Sequence, residues 1–266
     1  TLTVSSAASD VYKRQDIVLG GKVGNSQMSR IKITETISDT PYSQVAYCYL
    51  NDVKAVLKTK KEAIITNSIE TELKIHEFLS NYDLCPDILD YDLLNNHIVY
   101  EYLKYSVENS EYDQVFLEIL GKALSKLHSL NYRNKDAGTF EEKIEGYRNI
   151  LSTDPTAEIQ ESFALFDKLY KKSNELVFCH NDLNTRNIFL NKQMKFIDWE
   201  YAGLNMPIYE IASIKKSFNF SSDQFNIFLK AYGQDFNPNQ IEEFEVLVGF
   251  VEKIWQTVTN KLKSDQ

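Results

Sequence analysis

From Asp16 apolar and polar positions first alternate with the period of strands, and further along the chain they take the period of helices. IVLGGKVGNSQ (17–27) and MSRIKITET (28–36) read as two strands joined by a Gly-containing turn, and VAYCYL (45–50) with VKAVLKT (53–59) adds further β-branched and aromatic alternation. From about Thr66 the spacing predicts a helix. IETELKIHEFL puts Ile69, Leu73, Ile75 or His76, and Leu79 on one face, with Cys85-Pro86 as its stop. HIVYEYL (97–103) then reads as a buried strand. Beyond Ser106 the period becomes helical: VFLEILGKALSKLHSL carries Leu117, Leu120, Leu124 and Leu127 on one stripe. Asp154-Pro155 pairs an N-cap with a first-turn proline and opens a helix towards Lys172, and Asn237-Pro238 opens the last one. The expected architecture is α+β, with a β-rich lobe over 16–103 and a mainly helical lobe over 104–266.

One stretch departs from this patterning. FCHNDLNTRNIFLNKQMKFIDWEYAG, from Phe178 to Gly203, sets polar groups between short apolar runs. LVFCHND runs a strand into a loop, NIFLN is a short strand, and MKFIDWE is its hairpin partner across a turn at 191–193. Asp182 and Asn187 then stand at the two ends of one loop, and Asp198 arrives from the hairpin. Oxygen donors of this kind suit a hard divalent cation such as Mg²⁺ together with substrate phosphates. Phosphoryl transfer further requires a carboxylate to accept the proton of the attacking hydroxyl.

Composition narrows the picture. With 266 residues, 43% of them hydrophobic and 25% charged, the chain is long enough for one large domain or two lobes. No apolar run approaches the roughly 20 residues of a bilayer span, and no segment reads as a secretory signal, so the expected address is the cytoplasm. The three cysteines, Cys48, Cys85 and Cys179, show no CxxC spacing and are expected to be buried thiols rather than a disulfide framework or zinc site. A net charge of −9 argues against nucleic acid as a partner. The oligomeric state is not legible. Residues 1–15 are set apart: Asp10 to Gln15 (DVYKRQ) matches the translated mosaic end of a transposon-type sequencing adapter, and the segment is expected to be a non-native scar.

With these residues in view, H-N-D-x-x-x-x-N followed by I-D-W-E-Y-A-G and LNMPIYEIAS resembles the signature of the choline/ethanolamine kinase family, of the bacterial choline kinase type. That family lies within the aminoglycoside phosphotransferase and protein-kinase-like superfamily. The upstream parts fall in order: a Gly-rich turn, the strand lysine of AVLK, a helix acid fourteen residues before Pro86, and the hinge-like VYEYL. The resemblance implies a protein-kinase-like two-lobed fold and an ATP- and Mg²⁺-dependent kinase acting on a small cationic alcohol, choline or ethanolamine.

The resemblance also implies roles. Asp182 is the base, Asn187 and Asp198 hold Mg²⁺, and Lys58 meets the nucleotide phosphates with Glu72 as its ion-pair partner. The turn containing Gly20, Gly21, Gly24, Asn25 and Ser26 covers the phosphates, and the main chain at Glu101 and Leu103 binds adenine. Glu200, Tyr201 and Trp255 meet the acceptor through a carboxylate and aromatic faces. His180 and His128 are expected to be structural. The turn departs from the usual GGxTN spacing, and Glu210 stands where these kinases usually have Asp, which leaves a helix-capping or loop-anchoring role open there. IDWEYAG also occurs in thiamine-kinase-like proteins, whereas HND with AGLN favours choline. Aminoglycoside kinases more often read H-G-D, and a nucleotide-binding pseudokinase would share the fold without the activity.

Overall fold

The computed structural model describes residues 31–264, apart from 41, 62–65, 109, 133–136, 154, 171–174 and 191. The adapter-like segment and the Gly-rich turn at 20–26 lie outside the described residues. The chain divides into two compact units. One takes residues up to 109 and returns for Thr185–Glu200; the other takes Ser110–Asn184 and Tyr201–Gln266.

In the first unit, strands β1 (Ile31–Asp39), β2 (Ser43–Leu50), β3 (Val53–Lys60), β4 (Ile88–Asp92) and β5 (His97–Glu101) form an antiparallel sheet in the order β1-β2-β3-β5-β4. Asn51 and Asp52 join β2 to β3, both with positive φ (49° and 65°), the two-residue geometry whose twist matches paired strands. One group of core side chains joins Cys48, Leu50, Ala55, Leu57 and Val99; another joins Ile98 and Tyr100 to Ile69 of helix α1 (Ile69–Ser80). The Ser68 hydroxyl caps α1 by accepting from the Thr71 amide at 3.2 Å.

Two expectations about α1 need correction. The helix stops at Ser80, not at Cys85-Pro86, because Asn81 caps it: its amide side chain donates to the carbonyls of Glu77 and Phe78. The buried face also includes Thr71 and Glu72, while Leu73 is only half-buried. Strand β4, not anticipated, fills the gap. Its charged and exposed positions give it no apolar alternation, as suits an edge strand.

The segment Thr185–Glu200 adds the hairpin of β7 (Ile188–Leu190) and β8 (Met194–Phe196), as the apolar runs predict. Main-chain bonds from Leu190 to Tyr105, Val107 to Ile188 and Phe196 to Leu84 tie the hairpin to the rest of this unit.

The second unit is mainly helical: α2 (Gln114–His128), α3 (Phe140–Ile150), α4 (Ala157–Tyr170), α5 (Pro207–Phe218), α6 (Ser222–Tyr232) and α7 (Pro238–Ser264). A short ladder pairs β6 (Val177–Cys179) with β9 (Gly203–Asn205). The leucine stripe of α2 is fully buried, as its spacing requires. Gly121 on that stripe lets α2 approach α6 closely, since a Cβ there would lie 2.5 Å from the Phe228 carbonyl oxygen. Helix α7 begins at Pro238, with the Asn237 side chain accepting from Asn239. Helix α4 begins later than Asp154-Pro155 indicates: Pro155 precedes the helix, and Thr156 caps it by accepting from the Ile159 amide.

Candidate active site

Strand alternation points Lys58 and Lys60 to one face of β3, and both ammonium groups meet carboxylates there. Lys58 Nζ lies 3.0 Å from Glu72 Oε1, 2.7 Å from Asp198 Oδ1 and 3.3 Å from Glu200 Oε2. Lys60 Nζ lies 3.6 Å from both Glu72 and Glu200, and it donates to the Thr66 hydroxyl and the Asn67 carbonyl. The Tyr100 hydroxyl completes the shell by donating to Glu72 Oε1 at 3.0 Å. Glu72, rather than its exposed neighbour Glu70, is the acid drawn into the cluster.

Burial and charge oppose each other in this cluster. Burial alone would raise the Glu72 carboxyl, but Lys58 and then Lys60 hold it down to about 2. Burial opposes the Lys58 charge, yet Asp198, Glu72 and Glu200 together raise it well above the ordinary lysine value. Glu200 moves the other way: burial raises it, Asp198 adds repulsion, and the pull of Lys58 does not fully compensate. Three carboxylates thus face two ammonium groups.

The hairpin supplies the remaining oxygen donors of this unit. Asp198 has φ +69°, a left-handed conformation that Asp tolerates better than most side chains. Asn187 is fully buried one step beyond the β7–β8 ladder, where its carbonyl accepts from the Ile197 amide at 2.9 Å. Asn67 secures the following turn, its amide donating to the Glu200 carbonyl and its side chain to that of Trp199. A carboxylate, an amide oxygen and surplus negative charge form a donor set that suits a hard cation such as Mg²⁺. At the end of β5, Leu103 is buried, and the Glu101 carboxylate accepts from Lys195 at 2.8 Å.

The loop carrying Asp182 belongs to the second unit and is anchored from beneath by Glu210 of α5. One Glu210 oxygen accepts from the Asn181 amide at 2.7 Å. The other accepts from the His180 amide at 3.3 Å and pairs with His128 Nε2 at 2.8 Å. His128 Nδ1 in turn meets the Tyr232 hydroxyl at 2.8 Å, and Cys179 Sγ lies 3.5 Å from His128 Nε2. Glu210 is therefore a loop anchor, and His128 is a satisfied core histidine. Fully buried His180 accepts the Asp182 amide on Nδ1 at 3.3 Å, a structural position as expected. Asn181 has φ +67° and turns the chain so that Asp182 is left part-exposed.

Tyr201 and Trp255 are brought together, with the indole Nε1 donating to the Tyr201 hydroxyl at 2.8 Å. Sequence reasoning did not single out Lys60. Its even spacing from Lys58 puts both on one face of β3 but does not decide whether that face is buried. The Asn181–Asn205 contact was also missed; side-chain pairing between loops leaves no periodic trace.

Comparison with known proteins gives the family and the fold. The profile of the phosphotransferase enzyme family matches residues 47–244. The chain belongs to that family. A LicA homologue of Metamycoplasma hominis is 27% identical over 186 residues, covering 66% of this chain and 72% of that protein. Ethanolamine kinase 1 of Mus musculus is 22% identical over 220 residues, covering 71% and 59% respectively. Among solved structures, choline kinase LicA of Streptococcus pneumoniae superposes with a TM-score of 0.73 at 19% identity, covering 89% of this chain and 88% of that one. The resemblance read from HND and IDWEYAG is borne out at family level, and the fold is that of the protein-kinase-like phosphotransferases. Among the described residues, no helix is long and apolar enough to cross a membrane.

Proposed function

We propose that the protein is an ATP- and Mg²⁺-dependent kinase that transfers the γ-phosphate to the hydroxyl of choline or ethanolamine. The observation that carries this reading is the buried Lys58–Glu72 pair beside Asp198, in a phosphotransferase whose relatives include choline and ethanolamine kinases. Asn187 and Asp198 would hold Mg²⁺, whose charge would offset that of the transferring phosphoryl group. Lys58, oriented by Glu72, neutralises the nucleotide phosphates. The main chain at Glu101 and Leu103 takes the adenine edge.

Asp182 accepts the proton as the acceptor oxygen attacks the γ-phosphorus; the bond to the β–γ bridging oxygen breaks and ADP leaves with its electron pair. Tyr201 and Trp255 offer aromatic faces to the acceptor's cationic head, each worth about 0.5 to 2 kcal/mol. Glu200 Oε2 already lies within 3.6 Å of both Lys58 and Lys60, so the rings are assigned the larger share.

ATP turnover with choline, ethanolamine, thiamine and kanamycin tests the reading. Choline or ethanolamine is expected to lead the panel. Asp182→Asn is expected to lower kcat by orders of magnitude with far smaller change in ATP affinity. Turnover of thiamine or kanamycin far above both amino alcohols would remove the acceptor assignment, and near-parental kcat in folded Asp182→Asn would remove the base.

A further inference from the structure

The motifs HND and AGLN are joined by a contact that neither motif shows alone. Asn205, the last residue of AGLN, is fully buried, and its Nδ2 donates to Asn181 Oδ1 of HND at 2.7 Å. Asn181 Nδ2 donates onward to the Tyr201 carbonyl at 3.0 Å. Asn205 is itself fixed, since its Oδ1 accepts from the Met206 amide at 2.7 Å and from the Tyr170 hydroxyl. Lys143 also donates to the Tyr201 carbonyl, at 2.8 Å, and Trp255 binds the far end of the same residue through its hydroxyl.

We propose that Asn181 and Asn205 form a positioning clamp that locks the Asp182 loop to the Tyr201–Trp255 pair, so that the proton acceptor and the aromatic faces are set as one body. The physical case rests on satisfaction. A buried Asn side chain must find partners for both its oxygen and its NH₂, and these two spend them on each other, on Tyr201, on Tyr170 and on the Met206 amide, so breaking the pair would leave buried polar atoms without partners. Asn181 joins the loop's left-handed turn directly to the Tyr201 carbonyl. The clamp's role in acceptor recognition rests on the kinase reading above; the clamp itself does not.

Asn181→Gly separates the possibilities. Glycine accepts φ +67° without strain, so this variant keeps the backbone turn and loses only the side chain. The first measurement needs no substrate. The protein has two tryptophans, and fully buried Trp199 is shielded, so acrylamide quenching reports on half-buried Trp255. Asn181→Gly is expected to raise the quenching constant about twofold, and Asn205→Ala, which opens the clamp from the other side, should do the same. Quenching equal to the parent in a folded variant overturns the clamp whatever the substrate.

The second measurement is kinetic, with choline and ethanolamine as acceptors. Asn181→Gly should raise acceptor KM and lower kcat, each about threefold or more, with ATP KM within about twofold of the parent. An equal rise in ATP KM would mean general loosening and would also overturn the clamp. If the parent phosphorylates neither amino alcohol while quenching responds as expected, the clamp stands and the acceptor reading falls.

Discussion

At the scale of single residues, Glu72 is where burial, charge and helix position meet. Its carboxyl is held near 2, below its ordinary 4.5, by Lys58 and Lys60 against the cost of burial. A depressed carboxyl contributes stability that is fully present above the unfolded value and lost as pH falls through the folded one. Glu72→Gln should therefore lower unfolding free energy at pH 7 by on the order of 3 kcal/mol, with the difference from the parent closing between pH 4.5 and 2. Urea unfolding at pH 7, 4 and 2.5 measures this. A gap that stays constant across that range would assign the loss to packing rather than to the ion pair. The pairing of Lys58 with Glu72 is what the family resemblance implied, and the two side chains meet at 3.0 Å. The place of Lys60 was not legible in the sequence, because a lysine near a strand end carries the same letter whether it is solvated or buried.

At the scale of elements, periodicity delivered what it physically controls. The α2 leucines and the β2–β3 hairpin appear where their spacing puts them, because an apolar stripe has only one face to bury. The end of α1 did not follow, since side-chain capping by Asn81 acted before Pro86 could. The contact of α2 with α6 yields a test. Gly121→Ala would bring a methyl group to 2.5 Å from the Phe228 carbonyl and 2.9 Å from the Tyr232 amide, so the helices must part. We expect a loss of about 1 to 3 kcal/mol despite alanine's better helix propensity, read by thermal or denaturant melts. Because Tyr232 meets His128 from α6, the same variant should also lower kcat. A more stable Gly121→Ala protein would show that α2 and α6 are not in close contact.

At the scale of the whole molecule, the cysteines test how tightly each unit is closed within itself. Cys48, Cys85 and Cys179 are all buried; burial pushes Cys48 and Cys85 up to about 12 and Cys179 well above its ordinary value. A thiol needs both ionisation and access to react, so native protein at pH 8 should react with Ellman's reagent only over hours, and all three thiols should appear at once in guanidinium. A thiol that reacts within seconds under native conditions would mark a unit that opens locally.

The sequence by itself determined the α+β class, the loop and hairpin bearing Asp182, Asn187 and Asp198, and the family, because those features are written in periodicity and in short runs of polar residues with fixed spacing. Only the tertiary structure decided the role of Glu210, whose side chain caps amides about thirty residues away. It also decided the burial of Lys60 and the bond between Asn181 and Asn205. Each of these depends on which partners satisfy a buried polar group, and that is settled by positions in space that no local pattern along the chain encodes.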